Sequence, residues 1–247
     1  MNNFLYQRFN LKNKIALVTG GSKGIGKSIS EAFFKSDAKV ISVGRSLNNN
    51  SSKIDYRNCD VSNKDELERL FKYINEIYGG LDILVNVAGV SYSAKDIPEE
   101  MERFRKTIDI NLTAAFHCSI LAANSMKSGG SIVNITSIGS FQGFPDNPGY
   151  VASKGGLRLL TKSLANDLGH KNIRVNNIAP GYVKTSMTKK SYSNTEMNNE
   201  RLNRMLIKRW GNTEDLIGAA IFLASDASSY MTGTSIVVDG GLTSKGL

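Results

Sequence analysis

The sequence has no run of about 18 apolar residues, the length a helix needs to cross a bilayer, so no membrane span is expected. Its opening stretch, MNNFLYQRFNLKNK, lacks the apolar centre of a secretory signal, and export is not expected. Cysteine is scarce. Cys59 and Cys118 stand far apart and match no metal-ligand spacing, so they read as reduced thiols of a cytoplasmic protein and no metal site is expected. Without a secreted setting, the Asn-x-Ser/Thr triplets at Asn111 and Asn134 are accidents of sequence. His117 and His170 fit no catalytic pattern. The Gly-Lys-Ser/Thr ending of a Walker loop is missing, as are repeats and low-complexity tracts. The net charge is +9, yet no aromatic-interleaved basic block is present. Nucleic-acid binding is therefore not expected, although a basic surface suits anionic ligands.

What is present is an alternation of strands and helices with no internal linker. At 247 residues, 40% hydrophobic and 21% charged, the chain can bury a sizeable core. Apolar runs predict strands over 14–19, 39–43, 54–59, 82–86, 131–136, 173–178 and 235–239. Helical spacing predicts helices over 27–36, 63–78, 99–126, 150–168 and 213–225. In the second of these Leu67, Leu70, Phe71, Ile74 and Ile77 share a face. Residues 1–12 read as a polar lead-in and 47–53 as a loop or single turn. The expected fold is α/β: one doubly wound Rossmann domain over 1–247 with a seven-stranded parallel sheet. The pattern breaks at 187–209, read as a helical flap. There Leu202, Met205 and Leu206 face one way, with Arg201, Arg204, Lys208 and Arg209 around them. Right-handed crossovers bring the loops that follow the strands to one sheet edge, where ligands bind.

The first such loop runs Thr19, Gly20, Gly21, Ser22, Lys23, Gly24, Ile25, Gly26, between a strand and a helix N-terminus. Small residues let backbone approach a pyrophosphate, whose charge the helix amides favour. The glycines do not have the G-x-G-x-x-G spacing. At the end of the second strand an acidic residue would bind a ribose 2′-hydroxyl, and a cation would accommodate a 2′-phosphate. Gly44 followed by Arg45 and Ser46, with Lys23 in the Gly loop, favours NADP(H) over NAD(H). Tyr150 and Lys154 stand one helical turn apart. An ammonium near a phenol favours the phenolate, which makes proton transfer feasible near neutral pH. Ser137 lies just beyond the fifth strand, as a partner for a reacting oxygen.

TGGSKGIG at 19–26, Asp60-Val61, Asn86-Val-Ala-Gly89, Asn111, Ser137, Tyr150-x-x-x-Lys154 and Pro180-Gly181 together resemble the short-chain dehydrogenase/reductase family over nearly the whole chain. One departure is Val87, where the family pattern has a second asparagine. The resemblance implies that Tyr150 is the general acid or base and that Ser137 orients the reacting oxygen. It implies that Lys154 holds the nicotinamide ribose and depresses the tyrosine pKa, and that Asn111 positions a relay water. It also implies that Asp60 and Val61 flank the adenine. Asn86, Ala88 and Gly89 join the cofactor site, and Pro180, Gly181, Val183 and Thr185 pass the nicotinamide. A homotetramer packed through the helices of 99–126 and 150–168 is implied too. The tail from Lys208 to Gly241 looks closest to the gluconate 5-dehydrogenase-like branch. That gives a small-molecule carbonyl or alcohol of sugar-acid or polyol type as the expected substrate. A 3-oxoacyl-(acyl-carrier-protein) reductase is the enzymatic alternative, and a non-catalytic dinucleotide-binding regulator the alternative of another class.

Overall fold

The computed structural model describes residues 4–46 and 53–245. Most of the loop expected at 47–53 thus lies outside the described residues. The chain begins with a short helix, α1 (Phe4–Phe9), where a polar lead-in was expected. Its contacts explain it: the Tyr6 hydroxyl donates to Asp37 at 2.8 Å, and the Phe9 ring lies 6.2 Å from that of Phe222.

Seven strands form one parallel sheet: β1 (Ile15–Thr19), β2 (Lys39–Gly44), β3 (Asp55–Asn58), β4 (Ile83–Asn86), β5 (Gly130–Ile135), β6 (Ile173–Pro180) and β7 (Ser235–Val238). Their order is β3-β2-β1-β4-β5-β6-β7, all pairings parallel. The direction of winding reverses between β1 and β4, which opens the crevice where such sheets bind ligands.

Alternation along the strands feeds two cores, because successive side chains point to opposite faces. Leu17, Leu84, Ile132 and Val175 pack against α3 (Lys64–Tyr78), α5 (Ala114–Ser125) and α6 (Pro148–Leu168). Ala16, Val18, Val85 and Val133 face α2 (Gly24–Lys35) and α9 (Ile217–Ala224). Helix α3 starts where Asn63 accepts from the amides of Asp65 and Glu66, and stops at Gly79 with φ of 80°. Ile77, expected on its inner face, is exposed in the last turn before that glycine.

The helix expected over 99–126 is divided. α4 (Glu100–Ile108) and α5 are joined by one π turn, Asp109–Thr113. The widened turn carries Asn111, whose amide closes on the Val90 backbone and on Ser153. Those long-range bonds accompany the departure from regular α geometry. The helix expected over 213–225 begins as a 3₁₀ turn, Thr213–Leu216, before α9. Between β6 and that turn lie α7 (Lys189–Ser193) and α8 (Thr195–Arg204). Helical structure stops at Arg204 and the chain runs on without it through 205–209. Met205 is therefore buried while Leu206, expected beside it, is exposed.

Candidate active site

The site is built on the sheet edge where the strands end. Parallel register aligns Thr19 with Asn86, Asn86 with Asn134, and Asn134 with Asn177, a row of polar side chains at the brink of the crevice. Below that row β1 and β4 are apolar, while β5 and β6 also bury Ser131 and Asn176. Beyond it the loops carry the unusual residues.

Two adjoining cavities occupy the edge. The first is a groove walled by Gly20, Ser22, Lys23, Gly24, Ile25 and Gly26 on one side and by Arg45, Ser46, Cys59, Asp60 and Val61 on another. Ala88 and Gly89 line its floor. The second is walled by Ser137, Tyr150, Lys154, Pro180, Gly181, Val183 and Thr185. Ile25, Val87, Gly89, Thr185 and Met187 border both, so the two are continuous.

The groove suits a dinucleotide on geometric grounds. α2 begins at Lys23 with no side-chain cap, which leaves its first amides directed at the groove without a protein acceptor from that side chain. A Cβ on Gly20 would lie 2.9 Å from Ala88 backbone, and one on Gly26 only 2.3 Å from the Gly20 carbonyl oxygen. Gly20 and Gly24 also have positive φ, at 67° and 54°. The loop can therefore be this tight only with glycine at these points. Asp60 accepts from the Ser62 amide and hydroxyl. Burial works to raise its pKa, but these bonds and the Arg45 charge outweigh it and hold the carboxylate below its usual range.

In the second cavity Ser137 sits at the end of β5, where its Oγ accepts from the Gly139 amide at 3.0 Å. The Ser137 hydroxyl stands near enough to the Tyr150 phenol to favour its ionised form. Lys154 is buried, donates to the Ile135 carbonyl at 2.8 Å, and places Nζ 5.9 Å from the Tyr150 ring centroid. Burial pushes the Lys154 pKa down to about 8. Burial likewise raises the Tyr150 pKa, against a smaller lowering by Ser137. The expectation that Lys154 depresses the phenol is not met in this arrangement: its ammonium is turned to a backbone carbonyl, and low polarity dominates at the phenol. A half-buried phenol next to a hydroxyl, with a cation one turn away, can pass a proton to or from an oxygen lodged between Ser137 and Tyr150.

Three of the residues expected at the site stand behind the walls. Thr19 is buried, and its Oγ1 accepts from the Val87 and Ala88 amides at 3.1 and 3.2 Å. Asn86 donates to Ala115 O, Ser119 Oγ and Asn134 Oδ1. Asn111 is fully buried, with its amide engaged by Val90 and Ser153, and Ser153 in turn donates to the Tyr150 carbonyl. These three fix the walls rather than form them.

Sequence reasoning passed over Asn134, Thr161 and Ser119. Asn134 donates to Thr161 at 2.9 Å and accepts from Asn86, which couples β4 and β5 to α6. The signal was an asparagine inside an otherwise apolar central strand. Of the basic residues at 201–209, three are held locally. Arg204 pairs with Glu200 at 3.0 Å, Arg209 with Asp215 at 2.7 Å, and Lys208 donates to the Leu202 and Asn203 carbonyls.

A family model described as enoyl-(acyl carrier protein) reductase matches residues 20–243. The chain is 37% identical over 250 residues to the 2-dehydro-3-deoxy-D-gluconate 5-dehydrogenase of Pseudoalteromonas atlantica, covering 96% of this chain and 98% of that protein. It is 38% identical over 246 residues to a 3-oxoacyl-(acyl-carrier-protein) reductase of Chlamydia muridarum, covering 94% and 98%. Among solved structures, a gluconate 5-dehydrogenase from Burkholderia cenocepacia J2315 in complex with NADP and tartrate superposes with a TM-score of 0.92 at 30% identity, covering 98% of this chain and 100% of that one.

Proposed function

The chain belongs to the short-chain dehydrogenase/reductase family, oxidoreductases acting on CH–OH groups, and from that premise we propose an NADP(H)-dependent enzyme that interconverts a carbonyl and a secondary alcohol on a sugar acid or polyol-like substrate. The observation that carries the reading is the continuity of the two cavities, which sets Ser137 and Tyr150 beside a groove shaped for a dinucleotide. When bound, the nicotinamide dinucleotide supplies or accepts the hydride. Tyr150 gives the carbonyl oxygen its proton in reduction and removes it in oxidation. Ser137 orients that oxygen, and Lys154 holds the ribose side of the cofactor. Asn111 has its side chain engaged, so any relay of protons there falls to the backbone of the π turn.

Support for NADP(H) comes from Lys23, Arg45 and Ser46 around the groove, with no acidic residue at the end of β2. Support for a sugar acid comes from the gluconate-type names of the relatives. The segment 187–209 serves as the flap over the substrate. Exposed Met101, Phe104, Phe116 and Leu159 on α4, α5 and α6 support a homotetramer packed through those helices. Two free buried thiols suit a cytoplasmic setting.

A second reading, reduction of a 3-oxoacyl carrier protein, draws on the Chlamydia relative and on a net charge of +9 that suits an acidic carrier. Purified enzyme assayed on 5-keto-D-gluconate and acetoacetyl thioesters, each with NADPH and NADH, separates the two. Turnover of the keto-acid with NADPH is expected. Turnover of thioesters alone would sink the sugar-acid reading.

A further inference from the structure

We infer that Arg201, with the hydroxyls of Tyr182 and Ser191, forms a carboxylate-binding subsite that selects anionic substrates; this rests on the sugar-acid reading above. Arg201 lies on the half-buried inner face of α8. Its Nε donates to Ser191 Oγ at 2.5 Å and its Nη1 to Tyr182 Oη at 2.6 Å, with the guanidinium carbon 4.4 Å above the Tyr182 ring. Each hydroxyl therefore accepts from Arg201. Each keeps its own hydrogen, for which no acceptor is present among the described residues. No carboxylate stands within ion-pair distance of Arg201 among the described residues either, unlike Arg204 and Arg209. The result is a cation and two O–H groups converging with donors in excess and no anion. A half-buried cation in that state is stabilised by an acceptor from outside the chain.

The location ties this cluster to the reacting centre. Tyr182 follows Gly181, which lines the cavity with Tyr150, and Tyr182 packs in the same small apolar cluster as Ile138, the neighbour of Ser137. Leu202, next to Arg201, joins that cluster, with Met205 buried beneath it. The flap thus rests on the loop that carries Ser137. An acid held at Arg201 would lie on this cluster, whose Ile138 adjoins Ser137. Arginine suits the task because its planar fork matches a carboxylate.

The test compares 5-keto-D-gluconate with its methyl ester, the same chain without the charge. Arg201→Met should raise KM for the acid roughly 10- to 100-fold, the worth of a charge-assisted hydrogen bond, while kcat for the acid changes little. The ester should respond far less, and Arg201→Lys should fall between. Arg204→Met, on the outer face, should leave KM unchanged. Binding of NADPH, followed by its fluorescence, should persist in every variant. An unchanged KM in Arg201→Met would overturn the assignment. So would equal losses for acid, ester and NADPH, which would mark Arg201 as a structural staple of the flap. Wild-type enzyme that turned over no 5-keto-D-gluconate would instead overturn the sugar-acid reading, and the subsite with it.

Discussion

At the scale of single residues, the proposed roles of Tyr150 and Lys154 rest on what surrounds them. Replacing Tyr150 with Phe removes one oxygen from a packed site. Turnover should fall by roughly 10²–10⁴ or more, the usual worth of a positioned acid or base, with NADPH binding intact by fluorescence titration. Retained activity would refute the assignment. Lys154 offers a second measurement. Its pKa is lowered from about 10.4 to about 8 by burial, so the fold penalises its charged form. The unfolded chain then binds more protons between pH 8 and 10.4. Stability contributed by this residue is lowest below pH 8 and rises through that window. Against Lys154→Met, wild type should gain about 3 kcal/mol on going from pH 7 to 10.5, read from urea unfolding at each pH. A pH-independent difference would mean that the ammonium is not desolvated. Val87, the one departure from the family pattern, lines both cavities with an apolar side chain where an amide would stand.

At the scale of elements, the site depends on how β4, β5 and α6 are held in register. Asn134 accepts from the Asn86 amide and donates to Thr161, while Asn86 Oδ1 is left without a partner among the described residues. Asn134→Ala leaves polar atoms of its partners short of a bond in a dry interior. The expected cost is about 1–3 kcal/mol, seen as a lower urea midpoint with an unchanged m-value. A reduced kcat should accompany it, since α6 carries Tyr150 and Lys154. A midpoint equal to wild type would show that the network is dispensable. The elements themselves were largely legible from periodicity: seven strands and most helices stand where apolar runs and helical spacing put them. The π turn at Asn111 was not. Its cause is a bond to the backbone of Val90, some twenty residues away, which no local pattern records. Helix α1 was missed for the same reason, since Phe222 and Asp37 anchor it from distant parts of the chain.

At the scale of the whole molecule, one sheet with helices on both faces leaves apolar groups exposed on α4, α5 and α6, and an edge strand, β7, without a neighbour on one side. If the tetramer reading is right, light scattering coupled to gel filtration should return about four times the 26.9 kDa chain mass. Substituting Phe116 and Leu159 with charged residues should shift the species to smaller assemblies. A monomer in the wild type would exclude that reading. The +9 net charge is an excess over pairs such as Lys27 with Glu31 and Lys64 with Glu68, whose charges cancel within that total.

Local spacing was enough to read the doubly wound fold and the Gly loop and to propose the Ser137, Tyr150 and Lys154 set. Each of these is written in local spacing: period-two and period-3.6 hydrophobicity, glycines before a helix, and a tyrosine four residues before a lysine. Tertiary structure alone decided which residues form the walls and which stand behind them. Thr19 and Asn86, read as cofactor residues in sequence, and Asn111, read as the holder of a relay water, face inward, because neighbouring segments claim their hydrogen bonds. It also decided the direction at Tyr150, where burial outweighs the influence of the Ser137 hydroxyl. And it separated Arg201 from Arg204 and Arg209, because in space Tyr182 and Ser191 meet it with no carboxylate alongside among the described residues.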